Sequence, residues 1–191
     1  MKSSTKEIVV LGITLGLVSM IAALGLSITY SVTKPVIAMQ AKKALENAQK
    51  EIFPDALEFV RQEDMIGKTN GSTIIKDFYI ANSSENTRIG YLVSATTPGY
   101  GGIIYFIIGV TMDGRLKSVK VSEHTETPGL GANITSKGFL GQFVNKKLSD
   151  EFVVKKDVKA ITAATISSKA ITKGIKALID LSQNSEAGDT K

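Results

Sequence analysis

The chain has 191 residues, 43% of them hydrophobic, and a formal net charge of +5, which suits one domain of ordinary size plus an extra element and leaves no room for two large domains. It contains no cysteine and a single histidine, His124, so it cannot by itself ligate an iron–sulfur cluster, a Cys-rich zinc ion or a bis-His haem. Basic residues are scattered among acidic ones rather than gathered in a stripe, which speaks against nucleic acid as a partner.

Ile8 to Tyr30 is uncharged and rich in Ile, Leu, Val, Ala and Gly, long enough as a helix to cross a hydrocarbon core of ~30 Å. A cleaved signal peptide shares the short positive N-terminus. The apolar stretch exceeds a typical signal core, however, and Tyr30 to Pro35 offers no small-x-small cleavage site, so a retained single-pass anchor over residues 1–35 is expected. Lys34, Lys42, Lys43 and Lys50 on the far side outnumber Lys2 and Lys6 on the near side. Counted alone, they place the following domain in the cytoplasm, although long domains translocate largely regardless of charge.

After Pro35, apolar residues at Ile37, Ala41, Ala44, Leu45, Ala48 and Ile52 form a helical stripe interleaved with Lys42, Lys43, Glu46 and Lys50, which predicts a separate amphipathic helix ending before Pro54. Gly67, Asn70 and Gly71 mark turns in the polar stretch Arg61 to Ser72. Strands are expected at Ile74–Ile80, Arg88–Thr96, Ile103–Met112 and Leu116–Glu123, with Asn82–Asn86 as a loop and Asp113-Gly114 as a tight turn. Ile103–Met112 is nearly continuously apolar, as a strand buried on both faces is. Phe139, Leu140, Phe143 and Val144 predict a helix within Ser136–Asn145, and Phe152-Val153-Val154 a short strand. A final helix is expected from Lys169 to Ser182, followed by a disordered tail at 183–191. The expected fold is an α+β domain over residues 36–182, with a mixed or antiparallel sheet and packed helices.

Three strings stand out for chemistry. Thr97-Pro98-Gly99-Tyr100-Gly101-Gly102 is glycine-rich beside an aromatic; such glycines serve turns or let backbone approach a flat ring, and the spacing is not Gly-x-Gly-x-x-Gly. Glu123-His124-Thr125-Glu126-Thr127-Pro128-Gly129-Leu130-Gly131 sets a histidine beside two acids, as an acid–base pair or an ordinary solvated loop would. Thr162-Ala163-Ala164-Thr165-Ile166-Ser167-Ser168 places hydroxyls just before a helix. There they act as N-caps, or the unpaired first-turn amides receive an anion such as phosphate.

Taken together, and in this order, the three strings resemble the FMN-binding domain found in the G subunit of Rnf-type electron-transport complexes and in the C subunit of Na+-pumping NADH:quinone reductases. The family motif Ser/Thr-Gly-Ala-Thr matches Thr162, Ala163, Ala164 and Thr165, with Ala163 in place of glycine. A methyl group there crowds the turn if the position needs positive φ. The resemblance implies FMN bound covalently to Thr165 through a phosphoester, with Thr162, Ala164, Ser167 and Ser168 beside it. It makes Tyr100, Gly101, Glu126, Thr127, Pro128, Gly129, Leu130 and Gly131 walls of the flavin pocket, with no catalytic residue and no metal ligand. It further implies an electron carrier on the extracytoplasmic side of the cell membrane, protein partners in a ferredoxin:NAD oxidoreductase that moves Na+ or H+, and a flavin transferase using FAD and Mg2+. Within the same motifs, the quinone-reductase C subunit and a flavin-free, membrane-anchored assembly module stand as the alternatives.

Overall fold

The computed structural model describes residues 2–83 and 87–186. Helix α1 runs from Lys2–Ile52, followed by strands β1 (Glu58–Arg61), β2 (Thr69–Asn70), β3 (Thr73–Asn82), β4 (Arg88–Pro98), β5 (Ile103–Thr111) and β6 (Leu116–Glu123), then helices α2 (Lys137–Leu140) and α3 (Thr165–Glu186). The chain forms two compact units, Met1–Lys43 and Ala44–Lys191.

In the first unit, α1 passes through Pro35 without a break, so the separate helix expected after Pro35 is a continuation of the first. Proline's fixed φ is helical, but its missing amide and the crowding of its ring against the carbonyl four residues earlier cost about 3 kcal/mol; Ala41, Ala44, Leu45 and Ala48 beyond it are strong helix formers that carry the helix on. The apolar side chains from Ile8 to Val32 are exposed, unlike those of a core helix. Thr14, Thr29, Ser31 and Thr33 each donate a hydroxyl to the carbonyl four residues earlier, at 2.8 to 2.9 Å, which satisfies these polar groups within the helix.

The second unit is built on a 6-stranded sheet, ordered β1-β3-β4-β5-β6 with β2 pairing β3. All pairings are antiparallel. The β5–β6 hairpin turns at Asp113-Gly114, where Gly114 has φ 73° and the Thr111 amide reaches the Arg115 carbonyl at 2.9 Å. β4 and β5 are buried on both faces because two layers cover them. On one face Val93, Ala95, Phe106, Ile108 and Val110 join Ile171, Ile175, Leu178 and Ile179 of α3, while Leu92 and Ile107 belong to a second cluster with Ala48, Ile52 and Phe53 at the end of α1.

Three further expectations, all in the second unit, differ from the structure. The helix expected at Ser136–Asn145 is only α2 and a 3-10 turn at Gly141–Phe143; Gly138 and Gly141 weaken it, and the Asn145 amide, at φ 65°, turns away to the Leu116 carbonyl at 2.7 Å. The expected strand at Phe152–Val154 is a loop. Its Phe152 and Val153 amides go to the Asp157 carboxylate at 3.0 and 2.6 Å, not to a neighbouring strand. The final helix starts four residues earlier than expected, at Thr165, and runs on to Glu186, so the tail expected from Gln183 is helical at its start and otherwise lies outside the described residues. Ser84, Glu85 and Asn86 of the expected loop also lie outside them.

Candidate functional site

The site is assembled where the β4–β5 turn, the loop after β6 and the start of α3 meet. In the β4–β5 turn the Gly99 amide donates to the Gly102 carbonyl at 2.7 Å, and the Tyr100 side chain is left 71% exposed. A Cβ on Gly101 would overlap the Thr125 carbonyl, and one on Gly102 the Thr125 hydroxyl. These glycines therefore serve the close approach of the two loops. Thr125 Oγ1 fastens that approach by donating to the Gly101 carbonyl at 3.1 Å.

In the loop after β6, Pro128 and Gly129 form a turn in which the Thr127 carbonyl accepts the Leu130 and Ala132 amides at 3.2 and 3.1 Å. Gly129 has φ 76°. His124 is half-buried, and its Nδ1 accepts the Glu126 amide at 3.2 Å, a role that orients the loop and commits this nitrogen as an acceptor. Glu126 itself is only 5% exposed. Its Oε1 accepts the amides of Tyr100 at 2.7 Å and Gly101 at 3.2 Å, and its Oε2 accepts the Ser167 hydroxyl at 2.7 Å.

At the start of α3 the motif folds into a tight turn. The Ala164 amide donates to the Ile161 carbonyl at 3.0 Å, and Ala163 takes φ 61°. The residue standing where the resembling family has glycine is thus in the left-handed region that disfavours a Cβ. Ser168 closes the turn from inside. Its Oγ accepts the Ile161 amide at 3.0 Å and donates to the Ala164 carbonyl at 2.9 Å. None of Thr165, Ser167 and Ser168 caps the helix from its own side chain, because the residue in the cap position is Ala164. Among the described residues the amides of Thr165, Ile166 and Ser167 keep the unpaired state of a helix's first turn.

Between these three segments lies a cleft of about 290 Å³, lined by Tyr100, Glu126, Thr127, Leu130, Gly131 and, from the other side, Ala163, Ala164, Thr165, Ile166 and Ser167. Of the residues singled out from sequence, Thr162, Gly101, Pro128, Gly129 and Ser168 stand outside this lining. Ser168 is fully buried behind the turn, and Gly101 contributes through its amide. Sequence reasoning did not place Ala163 or Ile166 in the site. Ile166, 56% exposed, is an apolar residue off the stripe Ile171, Ile175 and Leu178, and that misplacement is the signal by which it was detectable.

Residues 99–180 match the FMN-binding domain family, and residues 1–52 match the RnfG N-terminal region. The chain is 37% identical over 165 residues to the G subunit of the proton-translocating ferredoxin:NAD(+) oxidoreductase complex of Clostridium ljungdahlii, covering 84% of this chain and 83% of the relative. It is 33% identical over 181 residues to the G subunit of the ion-translocating oxidoreductase complex of Methanosarcina acetivorans, covering 93% and 96%. Among solved structures, the C subunit of the Na(+)-translocating NADH-quinone reductase of Parabacteroides distasonis is similar at 20% identity and a TM-score of 0.49, over 70% of this chain and 80% of that one. With a matching N-terminal region, a matching FMN-binding domain and relatives aligned over most of both chains, this chain belongs to the RnfG family, the G subunits of Rnf-type ion-translocating oxidoreductase complexes.

Proposed function

We propose that this chain carries FMN as a phosphoester on Thr165 and works as a membrane-anchored electron carrier within an ion-translocating ferredoxin:NAD oxidoreductase. The observation that carries the reading is the position of Thr165: it opens α3, lines the cleft, and is uncommitted to any cap. The residues around it fit the group. The unpaired amides of Thr165, Ile166 and Ser167 suit a phosphate, and the exposed faces of Tyr100, Leu130 and Ile166 suit a flat, largely apolar ring.

Bound there, the flavin supplies one- or two-electron transfer. The protein's part is to hold and shield it. Glu126 and Ser167 satisfy each other at the floor, Thr127 and Gly131 form the facing wall, and the amides of α3 offset negative charge on the phosphate. His124, whose Nδ1 accepts the Glu126 amide, is not part of the cleft lining, and Glu126, which is, already accepts three protein donors. In this reading attachment is the work of a separate flavin transferase using FAD and Mg2+, as the family resemblance implies: Thr165 Oγ1 would bond to the flavin-side phosphorus, the pyrophosphate P–O bond would break, AMP would leave, and the hydroxyl proton would pass to solvent. A covalent link suits a carrier outside the cytoplasm, where lost FMN is not replaced.

The chain is membrane-associated through α1; the flavin domain lies on the extracytoplasmic side in this reading. Peptide mass analysis of protein coexpressed with an active transferase tests the function. The reading expects one FMN residue on the peptide containing Thr165, and an unmodified peptide would remove it.

A further inference from the structure

The geometry points to Glu126 as the positioning residue of this cleft: by joining the β4–β5 turn to the first turn of α3, it fixes where Thr165 stands relative to Tyr100. This rests on the reading of the cleft as an FMN site. Family resemblance set Glu126 beside the flavin ring, but its carboxylate is already occupied by protein donors: the Tyr100 and Gly101 amides on one oxygen and the Ser167 hydroxyl on the other, at 2.7, 3.2 and 2.7 Å. It acts on the site through those donors.

The surrounding glycines support the same role. A Cβ on Gly99 would overlap Glu126 Oε1, and one on Gly131 would overlap Oε2 and stand 2.9 Å from Ser167 Oγ. The two glycine-containing loops are thus shaped around one buried carboxylate. A buried carboxylate bound by three donors is costly to break, because each donor left behind is itself unsatisfied.

On the helix side, the large apolar anchors of α3 begin only at Ile171. The first turn, which carries Thr165 and Ser167, projects ahead of them to the cleft. Tying Ser167 therefore sets the direction of the Thr165 hydroxyl two residues earlier. Removing the tie would leave Ile171 and the Ser168 closure of the turn in place and free the cleft side of the turn, which carries Thr165.

The test uses the full chain coexpressed with an active transferase, and compares the rate of covalent flavin incorporation and the visible spectrum of the attached flavin. Glu126→Ala is expected to slow incorporation by about tenfold or more, the scale on which small misplacements of a reacting group act, and to alter the spectrum. Glu126→Gln keeps an acceptor for the Tyr100 and Gly101 amides and turns its own amide to Ser167, so it should restore most of the rate. Ser167→Ala, which stays folded if Glu126→Ala does not, should lose rate in the same direction. Asp157→Asn, outside the cleft, serves as a control for lost stability and should load at the wild-type rate.

Wild-type rate and spectrum in Glu126→Ala, or in Ser167→Ala should Glu126→Ala not fold, would overturn the assignment. So would an equal slowing in Asp157→Asn. A wild-type chain that stays dark beside an active transferase fails the FMN reading itself and this inference with it.

Discussion

Gly109 of β5 lies directly beneath Ile52 of α1, so close that a Cβ built on the glycine would overlap Ile52 Cγ2 and stand 3.4 Å from Phe53 Cε2. Gly90 of β4 repeats the relationship with the Phe53 ring. Two glycines on adjacent strands, offset by two residues in register because Gly109 pairs with Leu92 and Gly90 with Thr111, thus make the seat into which the end of α1 packs, and Lys120 holds Glu51 in an ion pair at its rim. Gly109→Ala should destabilise the domain by about 1–3 kcal/mol, the usual cost of overpacking. Chemical denaturation of the flavin domain measures this; an unchanged midpoint would show that the seat is loose.

Ala163 gives a prediction of the opposite sign. Its φ of 61° costs an L-residue about 1–2 kcal/mol, which glycine does not incur. Ala163→Gly should therefore stabilise the domain by up to about 1 kcal/mol, since glycine's greater freedom in the unfolded chain offsets part of the gain. A denaturation midpoint that falls instead would mean the methyl group packs usefully against the cleft.

Asp157 organises the 152–158 loop, accepting Lys146 Nζ at 2.9 Å as well as the Phe152 and Val153 amides. Partial burial pushes its carboxyl upward, but the hydrogen bonds from Lys146, Val153 and Phe152 outweigh that, and its net shift is below the ordinary carboxylate value. A lowered folded pKa gives stability that is fully present above the unfolded value of about 4 and lost as pH falls through the folded one. Asp157→Asn should cost about 1–2 kcal/mol at neutral pH, with the gap to wild type closing in acid. A gap that is constant with pH would contradict the assignment.

Much of the domain was legible in its sequence. β4, β5 and β6 announce themselves by alternation, an apolar run and Asp113-Gly114. Strands β1 and β2 were missed because they are short edge pieces whose side chains are largely exposed, so neither alternates apolar with polar residues. Ser167 and Ser168 read as caps by type, yet both turn inward with Thr172, on the core side that Ile171 and Ile175 define. The role of Glu126 had no local signal at all. Its partners lie 25, 26 and 41 residues away, and only the folded sheet brings them to one carboxylate.

Orientation is tested on intact cells or spheroplasts. External protease should remove the flavin domain and leave a small, membrane-protected N-terminal fragment. Protection of the whole domain, with a periplasmic or surface control digested and cytosolic markers intact, would put it on the cytoplasmic side, as the lysines around α1 alone suggest.

The central claim concerns one hydroxyl. After coexpression with a flavin transferase and denaturing electrophoresis, the wild-type band should fluoresce under ultraviolet light, because a phosphoester survives denaturation and a bound flavin does not. Thr165→Ala should be dark yet folded, since Thr165 makes no capping hydrogen bond and even a lost cap costs only about 0.5–2 kcal/mol, while Thr162→Ala, outside the cleft lining, should at most dim. A fluorescent Thr165→Ala band would place the flavin elsewhere, and a dark wild-type band beside a transferase active on another substrate would leave the flavin-free assembly module in place of the electron carrier.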